Sequence, residues 1–556
     1  MRLEGLVQHE FPLTTGYLLD RMRTVNGDST CTSVRGDGSR TSESYRELGA
    51  RADRLGHALR SLGVRETERV ATYLWNCQEH LELYLAIPSY GAVLHTLNLR
   101  LSADELTYIV DHAEDRVVFV DGSLIPAVRE FAHRLRSVRY WVVVGAGDGS
   151  GLPGTVLRYE ELLAAAPDTP FDWPALDDRA AAALCYTSGT TGRPKGVLYS
   201  HRSTLLHALG ACAADSLGTC AADRALIVVP MFHANAWGLP YASALAGADV
   251  VLPGRAVDAA AIARLIESER ITLACAVPTI WHDLLRYAEE HRPDLSSLRM
   301  VACGGAAVPR SLMQELEERH NVPIIQVWGM TETSPLATIA HPPSRAQGEQ
   351  RWAYRGMAGK LLPFVQARIV DERGAQLPWD GETDGELQVR GPWIAAGYFR
   401  EPDGAEKFQD GWLRTGDVAA ISRDGWVRIT DRAKDVIKSG GEWISSVAVE
   451  NELVGHPAVR EAAVIAMPDE RWTERPLACV VVEPEAELDG RRLTEWLRPR
   501  ITKWWLPDEY AFVPAIPRTS TGKLDKKKLR ALLADGGLAR GERTLPPIRT
   551  PTAEEN

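Results

Sequence analysis

Ten consecutive residues, Thr187-Ser-Gly-Thr-Thr-Gly-Arg-Pro-Lys-Gly196, concentrate the chemistry that binds phosphate. They follow the apolar run Ala183-Leu-Cys-Tyr186, which reads as a strand. Their three glycines allow close backbone approach and positive φ angles. The hydroxyls of Thr187, Ser188, Thr190 and Thr191, with free backbone N–H groups around Gly189, offer donors to phosphate oxygens. Lys195 adds a mobile positive charge. Gly196 after Lys195 excludes a Walker A loop, which needs Ser or Thr there, and the string is not the dinucleotide fingerprint either.

Five more segments carry candidate chemistry. Gly304-Gly-Ala-Ala-Val-Pro-Arg310 follows an apolar run, and its small residues let a flat ring lie against the backbone. Gln326-Val-Trp-Gly-Met-Thr-Glu-Thr333 sets a carboxylate, Glu332, beside a hydroxyl, Thr331, as a hard oxygen-seeking cation requires. Trp412-Leu-Arg-Thr-Gly-Asp417 ends on an acid that, when ionised, accepts hydrogen bonds. Asp431-Arg-Ala-Lys-Asp-Val-Ile-Lys-Ser-Gly-Gly-Glu-Trp-Ile444 combines three cations with a glycine pair. In Pro517-Arg-Thr-Ser-Thr-Gly-Lys523, Lys523 follows a glycine on a loop and is free to extend. Singly, each has a plainer reading: a turn acid, a strand-to-helix turn, a solvated lysine.

Taken in order, these strings resemble the motifs of the adenylate-forming superfamily of acyl-CoA synthetases, peptide-synthetase adenylation domains and luciferases, and most of all the medium- or long-chain fatty acyl-CoA synthetases. The matches run from about Thr187 to Lys527. The resemblance implies an ATP and AMP site made of Thr187, Ser188, Gly189, Thr190, Thr191, Lys195, Gly305, Ala306, Ala307, Gln326, Val327, Trp328, Gly329, Thr331, Asp417, Arg432, Lys438 and Trp443. Within it Trp328 stacks on adenine, Thr331 touches the α-phosphate and Asp417 accepts from both ribose hydroxyls. Thr187 and Glu332 would hold Mg2+. Lys434 is the expected hinge, Gly440 and Gly441 the expected lining of a coenzyme A tunnel, and Lys523 the catalytic lysine. The family usually has Tyr where this chain has Trp328, so the phenolic hydroxyl is lost and bulk is gained.

Pro230-Met-Phe-His-Ala-Asn-Ala-Trp237 resembles a string in which the histidine lines and gates the acyl pocket and the tryptophan closes it. His233, Trp237 and Gly304 are therefore the expected acyl pocket, and His233, Glu332 and Lys523 the expected catalytic groups. The implied activity is ATP-dependent activation of a carboxylic acid to acyl-AMP, then transfer to coenzyme A, a fatty acid being the expected substrate. An amine or a carrier-protein thiol as acceptor, and an aryl or short thioether acid as substrate, stay open. So does the more distant option of a luciferase-like oxygenase. A non-catalytic nucleotide-binding regulator is disfavoured because Lys523 and Glu332 are both present.

The elements that must position these residues are legible as an α/β pattern. From about Ala180 short apolar runs alternate with helical periodicity, which predicts layered α/β structure with mostly parallel sheet. Runs at Ala225–Val229, Asp249–Leu252, Ile271–Val277, Leu298–Ala302 and Ile324–Trp328 read as strands. Tyr45–Leu62 reads as a helix. Phe364 to Gly425 reads as strands and turns, a β-rich subdomain. The expectation is a large N-terminal domain over 1–431, a small mobile α+β C-terminal domain over 432–536 and a disordered tail over 537–556.

Composition fits that picture. A chain of 556 residues corresponds to about three or four units at roughly 150 residues each. The net charge of −11 provides no global basic field for nucleic acid. Apolar stretches such as Trp141–Val144 are too short to span a bilayer, and the first residues lack the apolar core of a signal peptide. Eight scattered cysteines without a Cys-x-x-Cys pair argue against a zinc site or a disulfide framework and suit a reducing cytoplasm. A homodimer is a family-level expectation.

Overall fold

The computed structural model describes residues 7–8, 10–187, 193–439, 442–469, 471–484, 486–519 and 523–538. Ser188, Gly189, Thr190 and Thr191 of the phosphate loop, Gly440 and Gly441 of the expected tunnel, and the tail beyond Leu538 lie outside them. Leu538 itself is buried in one apolar cluster with Leu529 and Ile516.

Among the described residues the strands form three sheets. One has seven strands in the spatial order Thr155–Arg158, Tyr140–Val144, Val117–Asp121, Arg69–Tyr73, Val93–Thr96, Ala181–Tyr186 and Gly196–Ser200. All neighbours are parallel except the last pair. Ala181–Tyr186 and Gly196–Ser200 are antiparallel and flank the phosphate loop. The inner strands are buried on both faces, as continuous apolar runs such as Val117–Val120 require.

The second sheet has a parallel half and an antiparallel half. The parallel half contains Arg224–Leu226, Asp249–Leu252, Leu273–Ala276, Met300–Cys303 and Ile324–Gly329. Thr30–Val34 joins it from the N-terminus, parallel to Asp249–Leu252. Ile324–Gly329 then pairs antiparallel with Leu336–Ile339, and the sheet continues through Gly359–Leu361, Trp426–Arg432, Trp412–Ile421, Gly385–Arg390 and Gln366–Val370. The β-rich stretch after Phe364 is thus a continuation of the main sheet. Trp328 and Gly329 sit at the register shift where the two halves meet.

The third sheet collects Ile437–Ser439, Glu442–Ile444, Val459–Asp469, Thr473–Val482 and Glu509–Phe512. The chain passes from the second sheet to the third between Arg432 and Ile437, and Lys434 lies in that turn. The third sheet has its own apolar core around Ile437, Val464, Val480 and Leu497.

Sequence-based strand ends were the main error. The run Ala225–Val229 is strand only over Arg224–Leu226, because the carbonyls of Ile227 and Val229 are taken by the side chain of Asn76. The helix Tyr45–Ser61 begins where expected, since Ser44 and Glu47 close a capping box that satisfies its free N–H groups. No helix among the described residues is long and apolar enough to cross a membrane. All eight cysteines are free thiols, six of them buried.

Candidate active site

A cavity of about 900 Å3 opens where the three sheets converge. Of the residues singled out above, its wall contains Thr187, Lys195, His233, Trp237, Gly304, Gly305, Val327, Trp328, Gly329, Thr331, Glu332, Arg432, Lys434 and Lys523. Residues more than 300 positions apart in the sequence meet here, so the motif strings share one space.

Lys523 arrives from the C-terminal unit. The backbones of Arg518 and Leu524 pair as an antiparallel bridge, and Thr519 N–H donates to the Lys523 carbonyl at 2.8 Å. This short hairpin delivers the ammonium into the cavity. A side chain on Gly305 would stand 3.5 Å from Lys523 Cε, and Gly305 has φ +85, so glycine suits both the backbone and the approach. Burial pushes the Lys523 ammonium down to about 8, and Arg432 pushes the same way. Asp417 and Glu332 pull in the opposite direction, which puts both carboxylates within electrostatic reach of the lysine.

Glu332 is buried, and its Oε1 accepts from the Tyr398 hydroxyl at 2.6 Å. Lys195 Nζ lies 5.0 Å from the centre of the Tyr398 ring, a cation–π contact. The Tyr199 hydroxyl donates to the Thr331 carbonyl at 2.7 Å. Tyr398 was not picked out in the sequence, where it stands in an unremarked turn; only the fold shows that it joins Lys195 to Glu332. The oxygen donors of Thr187 and Glu332 suit Mg2+, which takes few protein ligands and shares its remaining positions with phosphates and water. No cluster of three or more His, Cys, Asp or Glu side chains able to hold a metal occurs among the described residues.

Asp417 sits beneath the wall and is almost fully buried. Its Oδ1 pairs with Arg432 Nε at 2.7 Å, and its Oδ2 accepts from Trp328 Nε1 at 2.9 Å. Trp328 therefore uses the donor that a tyrosine would lack at that position in its ring.

The acyl end lies around His233 and Trp237. Burial, with smaller contributions from Lys523 and Arg100, pushes the His233 imidazole down to about 3, so the ring is neutral at physiological pH. Ala234, Asn235, Ala236 and Trp237 have φ of +43, +50, +51 and +56, a left-handed turn built from four non-glycine residues. Such a run is strained for L-residues and is held only by its surroundings. Gly238 ends it at φ +72; a side chain there would fall 2.6 Å from His207 Nδ1. Gly304 fits the same logic, since a Cβ on it would meet the Val327 carbonyl oxygen at 2.9 Å and Trp237 at 3.3 Å. Leu217, Val229, Val277, Ile280 and Leu336 complete an apolar wall.

Several expected residues stand elsewhere. Ala306 and Ala307 do not line the cavity. The Gln326 carboxamide is spent on backbone, accepting from Val308 N–H at 2.8 Å and donating to the Met357 carbonyl at 2.9 Å. It braces the Gly304–Pro309 turn from behind. Lys438 and Trp443 are cross-strand partners in the third sheet, away from the cavity, with Lys438 Nζ 5.6 Å from the Trp443 ring centre.

Comparison with known proteins agrees with this geometry. Residues 21–399 match the family model described as AMP-binding enzyme, and residues 448–523 match the AMP-binding enzyme C-terminal domain. The chain is 43% identical over 525 residues to a 3-methylmercaptopropionyl-CoA ligase of Ruegeria lacuscaerulensis, covering 93% of this chain and 97% of that one. It is 43% identical over 540 residues to a long-chain-fatty-acid–CoA ligase of Thermus thermophilus, covering 95% and 98%. Among solved structures, an anthranilate CoA ligase in complex with anthranoyl-AMP superposes with a TM-score of 0.86 at 27% identity, covering 96% of this chain and all of that one. With the motif strings gathered around one cavity and both family models matched in order, the chain belongs to the AMP-binding enzyme family.

Proposed function

We propose that this protein is an acid–thiol ligase that converts a carboxylic acid to its acyl-adenylate with ATP and then passes the acyl group to coenzyme A. One observation carries the reading. Lys523 shares one cavity wall with the neutral histidine His233 and the carboxylate Glu332, and Asp417 beneath that wall is within electrostatic reach of it. A cation in that position bridges an acid and a nucleotide.

In the first half-reaction a carboxylate oxygen of the acid attacks the α-phosphorus of ATP. The new P–O bond forms as the bond to the β-phosphate oxygen breaks, and pyrophosphate leaves. Two anions must meet, so cations are the main requirement. Lys523 neutralises charge on the oxygens shared between acid and α-phosphate, while Lys195 and the loop amides serve the departing phosphates. When bound, Mg2+ supplies further charge neutralisation beside Glu332 and Thr187. The neutral His233 adds no second positive charge near Lys523 and packs against the acyl group.

In the second half-reaction the coenzyme A sulfur attacks the acyl carbon, its proton passes to solvent, and AMP departs. The thiol needs the space Lys523 fills. A turn of the C-terminal unit, taken as the stretch after Arg432, about Lys434 withdraws the lysine and brings the Gly440–Gly441 segment forward. Lys438 and Trp443, outside the cavity here, then reach its rim.

The substrate we propose is a monocarboxylic acid with an uncharged, apolar chain, a fatty acid of medium or greater length. Support comes from the wall of Leu217, Val229, Val277, Ile280 and Leu336, and from relatives named as ligases of long-chain fatty acids and of a thioether acid. The protein carries no membrane-spanning helix among its described residues, and its proposed site of action is the cytoplasm. The test is acid-dependent exchange of labelled pyrophosphate into ATP across a panel of fatty, thioether and aryl acids, followed by coenzyme A-dependent AMP release. Exchange without AMP release in the presence of coenzyme A, but with release to an amine or carrier thiol, would reassign the acceptor.

A further inference from the structure

The segment that carries His233 and Trp237 takes several hydrogen bonds from side chains of the seven-stranded sheet unit. Asn76 donates to the Ile227 carbonyl at 2.7 Å and the Val229 carbonyl at 2.9 Å, and its Oδ1 accepts from Met231 N–H at 2.8 Å. The Tyr84 hydroxyl donates to the Met231 carbonyl, and the Thr96 hydroxyl to the Phe232 carbonyl at 3.4 Å. The left-handed turn that follows has one side-chain anchor of the same origin: Cys185 Sγ donates to Asn235 Oδ1 at 2.8 Å. Cys185 is fully buried and absent from the cavity wall. Burial raises its thiol to about 11, so it keeps the proton it donates. Asn235 is buried too, and asparagine is among the few residues that tolerate a left-handed conformation.

We infer that Cys185 is a positioning residue: its thiol fixes Asn235 at the centre of the left-handed turn and thereby sets where His233 and Trp237 stand at the acyl end of the cavity. The inference rests on the acid-activating reading above. It also has a topological consequence. Cys185 stands two residues before Thr187, on the strand that feeds the phosphate loop. One strand end thus supports both the nucleotide end and the acid end of the site. Four strained residues cannot hold their shape alone, and a shared anchor keeps the turn in register with the loop.

The experiment compares Cys185→Ala, Cys185→Ser, Asn235→Gly and the double variant Cys185→Ala/Asn235→Gly. Glycine at 235 accepts positive φ but removes the acceptor. For Cys185→Ala, KM for the acid should rise about threefold to tenfold, the range of one buried hydrogen bond, with KM for ATP within about twofold. Cys185→Ser, which retains a donor, should stay near the parent. The double variant should be no worse than either single one, because both remove the same bond. Amide hydrogen exchange gives a readout independent of turnover: the Ala236 and Gly238 amides, bonded to the His233 and Asn235 carbonyls, should exchange faster in Cys185→Ala and not in Cys185→Ser. Unchanged acid KM and unchanged exchange at these amides would overturn the inference. So would equal rises in both KM values, or additive losses in the double variant. Failure of the parent protein to turn over any acid strikes the functional reading instead, and the exchange result still judges the anchor.

Discussion

Trp328 Nε1 and Arg432 Nε grip the two oxygens of the Asp417 carboxylate from opposite sides, at 2.9 Å and 2.7 Å. The tryptophan comes from the strand where the two halves of the main sheet meet, and the arginine from the last strand before the C-terminal unit. The substitution of Trp for the usual Tyr is thereby coupled to the residue proposed to hold ribose. A side chain that would otherwise only stack also orients an acceptor.

Trp328→Phe keeps an aromatic face and removes the donor. A hydrogen bond to a charged acceptor contributes about 1.5 to 3 kcal/mol, so KM for ATP should rise by roughly tenfold or more. Preference for ATP over 2′-deoxy-ATP should narrow at the same time, because a loosely held Asp417 discriminates less between the two sugars. Equal loss with both nucleotides would assign Trp328 to stacking alone.

The lowered Lys523 ammonium gives adenylation a high-pH limb. In the proposed mechanism the protonated lysine is the active form; in the free enzyme its population falls as pH rises through about 8. The expected result is that kcat/KM for the acid in the exchange assay declines above pH 8, since that parameter reports ionisations of the free enzyme. Lys523→Arg, with a cation that does not titrate in this range, should have low activity but no such limb. Thioester formation from supplied acyl-adenylate should lack it even in the parent protein, because Lys523 has left the site. A limb of equal size in both half-reactions would contradict that separation of roles.

Much of this was legible in the sequence because the adenylation chemistry lives in short strings where residue type decides function. Thr187, Glu332 and Lys523 each stand in a recognisable string, and the fold gathers all three on one cavity wall. The alternation of apolar runs and helical periodicity likewise announced parallel sheet, since strands buried on both faces must be apolar throughout. What escaped notice depends on distance in the chain. Tyr398 joins Lys195 to Glu332 across 66 residues in one direction and about 200 in the other, and no local pattern marks it. Asn76 ends the strand at Leu226 by taking two carbonyls from 150 residues away, which is why the run to Val229 misled. Gln326 looked like a nucleotide contact because it sits in a motif string, yet its strand direction turns the carboxamide inward to Val308 and Met357.

The orientation of the C-terminal unit adds an ion pair across the seam. Arg286, on a helix of the large unit, donates to Glu483 just beyond the strand Thr473–Val482 at 2.8 Å. Both side chains are partly exposed, so the pair is worth at most about 1 kcal/mol, enough for a fewfold change in the balance between two domain arrangements. Glu483→Arg should slow pyrophosphate exchange fewfold while leaving thioester formation from acyl-adenylate equal or faster. The reciprocal pair Arg286→Glu/Glu483→Arg should restore exchange, and added salt should shrink the difference. Slowing of both half-reactions together would show that the pair supports folding and not the choice of arrangement.

Three residues beyond Lys523, the lysine proposed to be catalytic, Lys526 is buried where the two units join. Its Nζ meets Glu450 Oε1 at 2.7 Å and donates to Ser446 Oγ at 2.6 Å, and Ser446 donates in turn to Asp431 Oδ2 through both N–H and hydroxyl. Burial pushes the Lys526 ammonium down; Glu450 and Asp431 outweigh it and raise it above its ordinary value. Asp431 ends the main sheet, Ser446 opens a helix of the C-terminal unit, and Lys526 opens the helix that follows the catalytic hairpin. One cation thus ties that hairpin to the hinge. Lys526→Met strips Glu450 of its ion-pair partner and Asp431 of a nearby cation, which should cost about 3 to 5 kcal/mol and appear as early unfolding of the C-terminal unit while the large unit persists. Lys526→Met/Glu450→Met removes one of the stranded charges and should recover part of the loss. If urea titration instead shows a single unshifted transition for Lys526→Met, the cluster does not hold the catalytic hairpin to the hinge.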